Sequence, residues 1–252
     1  MVYPTHTIFL LIVAAPVAAL LHWFFVQFAL RRITLPHKRI WQIGSTVFLS
    51  VLLILTLSFS LTGRYTAANV NSNGLVPLLI TIMIASNITL LMMTRGYRQI
   101  VDNIPLHWLI ASHVLRVIPG VIFLALHDMG LLPPTLALEA GYGDIIAGIL
   151  AVPVAYMIYN RTAFARSAAL AWSILGLLDL VNALYLGQTS IPAWTLALGR
   201  AGQSIDFVNL FLMLPTYAVP LFLVSHIWIF RRLGLLKVNT DTNINHEARQ
   251  PV

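Results

Sequence analysis

Seven apolar stretches, each about twenty residues long, limit what this sequence can fold into. The hydrocarbon core of a bilayer is about 30 Å thick, so a helix needs roughly 20 consecutive apolar residues to cross it. The stretches cover residues 7–30, 41–62, 74–94, 105–127, 139–159, 167–186 and 206–230. Their apolar residues do not alternate with polar ones, as the strands of a membrane barrel require. The sequence therefore predicts an all-α polytopic membrane protein, a bundle of seven transmembrane helices.

The low charge content excludes a water-soluble domain. Charged residues make up 9% of the 252 residues, whereas a soluble domain has about 25%. The chain has no cysteine, which excludes thiol catalysis and metal centres ligated by cysteine. We therefore assign residues 1–237 to a single transmembrane domain and predict that the polar tail, 238–252, is disordered in the cytoplasm.

The basic residues predict the orientation of the bundle. Twelve of the 15 Lys and Arg residues lie on one set of alternating loops and the C-terminal tail. Arg64 and Arg200 lie on the other set, and Arg116 lies inside the fourth stretch. Cytoplasmic loops carry the excess of Lys and Arg, so we predict an outside N-terminus and a cytoplasmic C-terminus. Basic residues spread over short loops do not form a nucleic-acid surface, and the expected partner is the lipid bilayer.

Ionisable residues within the stretches are the candidates for function, because charge at bilayer depth is costly and faces the bundle interior. Arg116 and Asp179 fall at similar depth in the fourth and sixth stretches, and arginine cannot shed its proton. We therefore expect an ion pair between them. Asp144 is a second possible partner, or alternatively a helix N-cap. The candidate intramembrane site comprises His113, Arg116, Asp144, Asp179 and Asn182.

Three kinds of function fit this polar group. A buried ion pair can be purely structural and fix helix register. It can also lie on a pathway for a small solute or a proton. The structural role is the commoner one for such a pair, and translocation is the leading function for the protein as a whole. A membrane sensor or scaffold that signals through its basic loops is an alternative. No residue is assigned a catalytic role, and we do not expect an enzyme.

Three histidines on three predicted helices give a rival interpretation. His22, His113 and His226 could together hold zinc, or two of them a haem, in a membrane-embedded enzyme. None of them belongs to a paired metal-binding motif. Trp23 and Trp228 lie beside two of them, which favours anchoring at the membrane interface. We therefore expect no metal and no cofactor.

Three segments in the C-terminal half carry a resemblance to a known group of proteins. They are EAGYGDIIAGILAVPVAY (139–156), AWSILGLLDLVNALYLG (171–187) and LPTYAVPLFLVSHIWIFRRL (214–233). Each resembles the corresponding segment of uncharacterised bacterial multi-pass membrane proteins. The resemblance implies a protein of the bacterial inner membrane and implies no particular activity.

Reporter fusions test the predicted topology. Fusions after residues 70, 100, 132, 163, 195 and 240 should report alternating sides of the membrane, because each pair of neighbouring fusion points encloses one predicted span. The fusion after residue 240 should be cytoplasmic. A periplasmic signal from that fusion would overturn the orientation.

Overall fold

A computed structural model of the chain describes the backbone of residues 5–62, 75–190 and 213–247. Side chains are described for residues 16–62, 77–190 and 213–235. These ranges are helical apart from short turns and contain no strand. The α-helices are α1 (Thr5–Arg32), α2 (Lys38–Leu61), α3 (Leu75–Met93), α4 (Arg95–Asp102), α5 (Leu106–Ala111), α6 (Val117–Asp128), α7 (Pro134–Tyr159), α8 (Ala165–Thr189) and α9 (Val219–Glu247). A 3₁₀ turn, Ser112–Arg116, joins α5 to α6, and a π turn, Leu214–Ala218, precedes α9.

Several of these helices are long and apolar enough to cross a membrane. Five helical segments within the described ranges meet both conditions, and a sixth does if the bent pair α3 and α4 is one span. The five segments are Lys38–Leu61, Leu106–Asp128, Pro134–Tyr159, Ala165–Thr189 and Leu214–Leu235. The all-α membrane architecture expected from the sequence is therefore supported at the level of five or six candidate spans.

The first and last predicted spans extend beyond the described side chains or backbone. Helix α1 matches the first stretch, 7–30, although its side chains are described only from residue 16. In the seventh stretch, 206–230, residues 206–212 lie outside the described ranges. The count of seven and the orientation thus stay predictions.

The third predicted span ends in a sharp bend that the sequence analysis did not anticipate. The axes of α3 and α4 meet at 103° across Thr94. Helix α4 is amphipathic and buries Tyr97, Ile100 and Val101, while Arg98 donates to the carbonyl of Met92 at the end of α3, at 2.8 Å. This geometry is that of a short helix lying across the end of the bundle.

The fourth predicted span, 105–127, is interrupted rather than continuous. The 3₁₀ turn Ser112–Arg116 lies between α5 and α6. Pro119 has no N–H to donate to the carbonyl of Leu115, so the regular α-helical bonding cannot run through this point. A tighter 3₁₀ turn is a common result where that ladder is broken.

Helix α7 packs closely against both of its neighbours. A Cβ added at Gly120 on α6 would lie 2.6 Å from the carbonyl oxygen of Gly141 on α7. That approach requires glycine, as in other close crossings of membrane helices. On the opposite side, the indole of Trp172 on α8 donates to the carbonyl of Ala147 at 2.9 Å. Helix α7 is thereby fixed between α6 and α8.

The last span begins with an irregular helical turn and extends beyond its predicted end. Pro215 lies in the π turn, and Pro220, in the first turn of α9, has no N–H for the carbonyl of Thr216. At its other end α9 continues to Glu247. Residues 238–247 are therefore helical where we predicted a disordered tail, because the helix that crosses the bundle continues into them, and residues 248–252 lie outside the described ranges.

Candidate functional site

Arg116 is the centre of the polar group inside the bundle. The 3₁₀ turn places its side chain between α7 and α8, where the residue is 0% exposed. Its Nε donates to Oδ1 of Asp144 at 2.8 Å, and its Nη2 pairs with Oδ2 of Asp179. Its Nη1 donates to the carbonyl of Gly176 at 3.1 Å. Each nitrogen of the guanidinium thus has an oxygen acceptor.

Asp144 and Asp179, the two carboxylates predicted as possible partners of Arg116, both contact it. Asp144 is not an N-cap, because α7 begins at Pro134 rather than at residue 139, which places Asp144 about three turns inside the helix. The N-cap alternative for Asp144 is therefore wrong. Asp206, another carboxylate near a predicted helix start, lies outside the described residues.

Gly143 makes the contact between Asp179 and Arg116 possible. A Cβ at this position would overlap the carboxylate of Asp179. The carboxylate of Asp179, on α8, therefore lies directly against the backbone of α7 at this glycine. Asp144 is buried, whereas the side chain of Asp179 keeps 17% of its surface exposed.

The two remaining candidate residues lie apart from the ion pairs. Asn182 is exposed and donates to the carboxylate of Glu139 at 3.2 Å. His113 is fully buried one turn before Arg116 and packs against His226, with ring centroids 4.4 Å apart. The structure thus groups His113 with a second histidine and leaves Asn182 at the bundle surface.

Two serines that the sequence analysis missed hold the histidine rings. Nε2 of His113 lies 2.6 Å from Oγ of Ser225, and Nδ1 of His226 lies 2.8 Å from Oγ of Ser173. The other ring nitrogens, Nδ1 of His113 and Nε2 of His226, are buried without a hydrogen-bond partner among the described residues. Ser225 precedes His226 in sequence, which is the signal that could have found it, whereas Ser173 has no such signal.

The three histidines of the metal hypothesis do not form a ligand set. No group of three potential metal ligands is close enough within the described part of the chain. Both ring nitrogens of His22 lie 2.9 Å from backbone carbonyls, those of Ala18 and Leu221. The small separation between His113 and His226 leaves no room for a porphyrin between them.

The expected anchoring of histidines at the membrane interface is wrong as well. His22 is 2% exposed and His226 is 0% exposed. Neither ring therefore lies at a protein surface. Both belong to the interior, where His22 bonds α1 to α9 and His226 contacts α8.

A cavity of about 70 Å³ extends from Arg116 and Asp144 towards Gln188 at the end of α8. Its walls are mostly apolar and come from α6, α7, α8, the π turn and α9. Its volume is large enough for several water molecules, and Arg116 and Asp144 are charged groups in its lining to which water could bond. We call it the outer cavity, because it lies towards the end of the bundle opposite Arg95, Arg98 and Arg231.

Residues 74–234 match a protein family described as a domain of unknown function, DUF8737. The chain belongs to this family. The DUF8737 match contains Arg116, both of its carboxylate partners and the His113–His226 pair, while His22 lies before it. Comparisons with curated proteins and with solved structures find no match. The expected membership of an uncharacterised family is confirmed.

The stability of variants distinguishes a cluster with two carboxylates from a simple ion pair. Arg116→Leu leaves the buried Asp144 and the partly exposed Asp179 without a cation and should cost about 3–5 kcal/mol, the usual result of removing one partner from a buried pair. Asp144→Asn or Asp179→Asn leaves one carboxylate for Arg116 and should cost much less. Thermal unfolding in detergent measures both effects.

The pair between Arg231 and Asp102 supplies the matched control. Its side chains are 29% and 24% exposed, so Arg231→Leu should cost about 1 kcal/mol or less. If Arg116→Leu and Asp144→Asn lower the stability of the protein equally, burial of the guanidinium does not depend on having two carboxylate partners.

Proposed function

We propose that this protein moves protons across the membrane through the cluster of Arg116, Asp144 and Asp179. In this proposal it is a seven-span protein of the bacterial inner membrane, with its N-terminus outside and its C-terminus in the cytoplasm. The positive-inside distribution of the basic residues supports the orientation. The observation that carries the function is the contact of one buried guanidinium with two carboxylates.

The charges of this cluster do not balance when all three groups are ionised. Two carboxylates and one guanidinium leave a net charge of −1 among the described groups in contact. Burial of an uncompensated charge at bilayer depth is unfavourable. One proton shared by Asp144 and Asp179 removes the excess charge and keeps both carboxyl groups bonded to Arg116. The cluster is therefore a proton-binding site.

The outer cavity supports exchange of that proton. Its lining includes both Arg116 and Asp144, so water in the cavity would reach the carboxyl group. Arg116 limits which cations can reach the carboxylates through the cavity. Its fixed positive charge repels other cations, whereas a proton binds a carboxylate directly. A structural ion pair would not need a cavity on one side.

The irregular start of the last span supports movement around the cluster. Pro215, Ala218 and Val219 line the outer cavity, and the π turn that contains the first two is followed by Pro220. Proline and π turns interrupt regular helical bonding and are frequent at functional sites. Bending at this segment would change the width of the cavity.

Proton uptake by proteoliposomes tests the proposal. Protein is reconstituted with a trapped pH-sensitive dye, and a pH difference is imposed across the membrane. The wild-type protein should acidify or alkalinise the interior faster than protein-free vesicles do. The variant Asp144→Asn/Asp179→Asn should fall to the rate of empty vesicles, because no carboxylate remains to bind a proton.

Asp102→Asn is the control, since it removes a carboxylate from the partly exposed pair at the other end of the bundle. This variant should keep the wild-type rate. A double variant that conducts as well as the wild type, or a wild type no faster than empty vesicles, would reject the proposed function.

A further inference from the structure

Both hydrogen-bond partners of His22 are acceptors, which suit its protonated form. Its Nδ1 is 2.9 Å from the carbonyl oxygen of Ala18, and its Nε2 is 2.9 Å from that of Leu221. A carbonyl oxygen only accepts hydrogen bonds, whereas a neutral imidazole carries one N–H and one bare nitrogen. Both contacts can be hydrogen bonds only if both ring nitrogens carry hydrogen. The geometry is thus complete for an imidazolium.

A second cavity borders this histidine, on a different face of α9 from the outer cavity. This inner cavity has a volume of about 330 Å³ and is lined by His22 together with Asn87, Tyr97 and Trp228. Its other lining residues include the start of α2 and part of α4, which lie at the end of the bundle rich in basic residues. Leu221 and Val224 of α9 face it, while Val219 and Phe222 face the outer cavity.

The His113–His226 pair adjoins the wall of the outer cavity, because the ring centroid of His113 lies 5.2 Å from that of Phe222, which lines this cavity. Ser225 donates its single hydroxyl hydrogen to the carbonyl of Phe222 at 2.8 Å, so towards His113 it can only accept. Neutral His113 therefore carries its hydrogen on Nε2 and a lone pair on Nδ1. That Nδ1 has no partner among the described residues. It is a base available to an incoming proton.

The pair also adjoins the cluster of Arg116 and its carboxylates. A Cβ at Gly176 would lie 3.2 Å from both Nη1 of Arg116 and Nε2 of His226, so these two atoms approach the same bare stretch of α8. The ring of His113 in turn packs against that of His226, with centroids 4.4 Å apart. The imidazole pair thus lies directly beside the Arg116 cluster.

We propose that His22 is a second proton-binding site, which receives the proton of the Asp144–Asp179 pair and faces the inner cavity. This proposal rests on the proposed function for the direction in which the proton moves. An O–H bond breaks at one aspartic acid, an N–H bond forms at His22, and the carboxylate left behind stays paired with Arg116. His113, His226 and water carry the proton between them.

The charge of the buried groups is the same before and after this transfer. With the proton on a carboxyl group, Arg116 and one carboxylate balance. With the proton on His22, two cations balance two carboxylates. No net charge is therefore created by the internal step. The groups facing His22 are the rings of Phe25 and Trp228, the two carbonyls, and Asn87 and Tyr97 across the cavity. The charge of His22 also acts on His113.

Nitrogen NMR of the protein in liposomes tests the site without any substitution. Histidine is labelled with ¹⁵N, and the carbonyls of alanine and leucine are labelled with ¹³C. At mildly acidic pH, one histidine should show two protonated nitrogens, each close to a labelled carbonyl, which assigns it to His22. A single protonated nitrogen at that histidine would overturn the proposal, whatever the transport assays give.

Proton uptake by variants then separates this proposal from the proposed function. His22→Gln should reduce uptake to the rate of empty vesicles, whereas His127→Gln, at the far end of α6, should keep the wild-type rate. Uptake that depends on Asp144 and Asp179 but not on His22 would overturn the second site and leave the proposed function standing. If the wild-type protein shows no uptake, the proposed function fails and the NMR result alone decides whether His22 binds a proton.

Discussion

Burial of the Arg116 guanidinium is the constraint on which the surrounding structure depends. An arginine cannot become neutral, so its charge has to be met inside the bundle. The structure meets it with two carboxylates and one backbone carbonyl, drawn from α7 and α8. Other features follow from this requirement: a 3₁₀ turn that presents Arg116, and a glycine at position 143 where a methyl group would displace Asp179.

Helix α9 contributes residues to the walls of both cavities. One of its faces lines the outer cavity beside Arg116, and another lines the inner cavity beside His22. Between them, Ser225 and His226 turn towards His113 and Ser173. The π turn and Pro220 lie at the outer end of this helix. The π turn lines the outer cavity, so a change of bend there would alter the width of that cavity.

The features that the sequence predicts are those determined by the length of the apolar stretches and by the charge of residues within them. Apolar runs of about twenty residues predict membrane helices, because the bilayer fixes their length. Arg116 and Asp179 are predicted partners, because a charge buried in the bundle needs an opposite one. This requirement does not distinguish Asp144 from Asp179 as the partner of Arg116, because one guanidinium has enough N–H donors to bind both carboxylates.

The parts that the sequence did not predict depend on packing and on local backbone geometry. The bend at Thr94 comes at the end of an apolar run, and Gly96, two residues later, is itself helical, so no glycine or proline stands at the break itself. The start of α7 at Pro134 moved Asp144 from a helix end to its interior. His22 and His226 stand beside tryptophans, as interfacial residues do, and yet both are buried. Ser173 gains its role only because α8 and α9 bring it to His226.

Infrared spectroscopy of the protein in liposomes tests most directly whether Asp144 and Asp179 share one proton. At neutral pH, the wild-type protein should show the carbonyl band of a protonated carboxylic acid. That band should disappear in Asp144→Asn/Asp179→Asn and remain in Asp102→Asn, because only the buried carboxyl groups hold the proton. A wild-type spectrum in which every carboxyl group is ionised would contradict the shared proton and the pathway built on it.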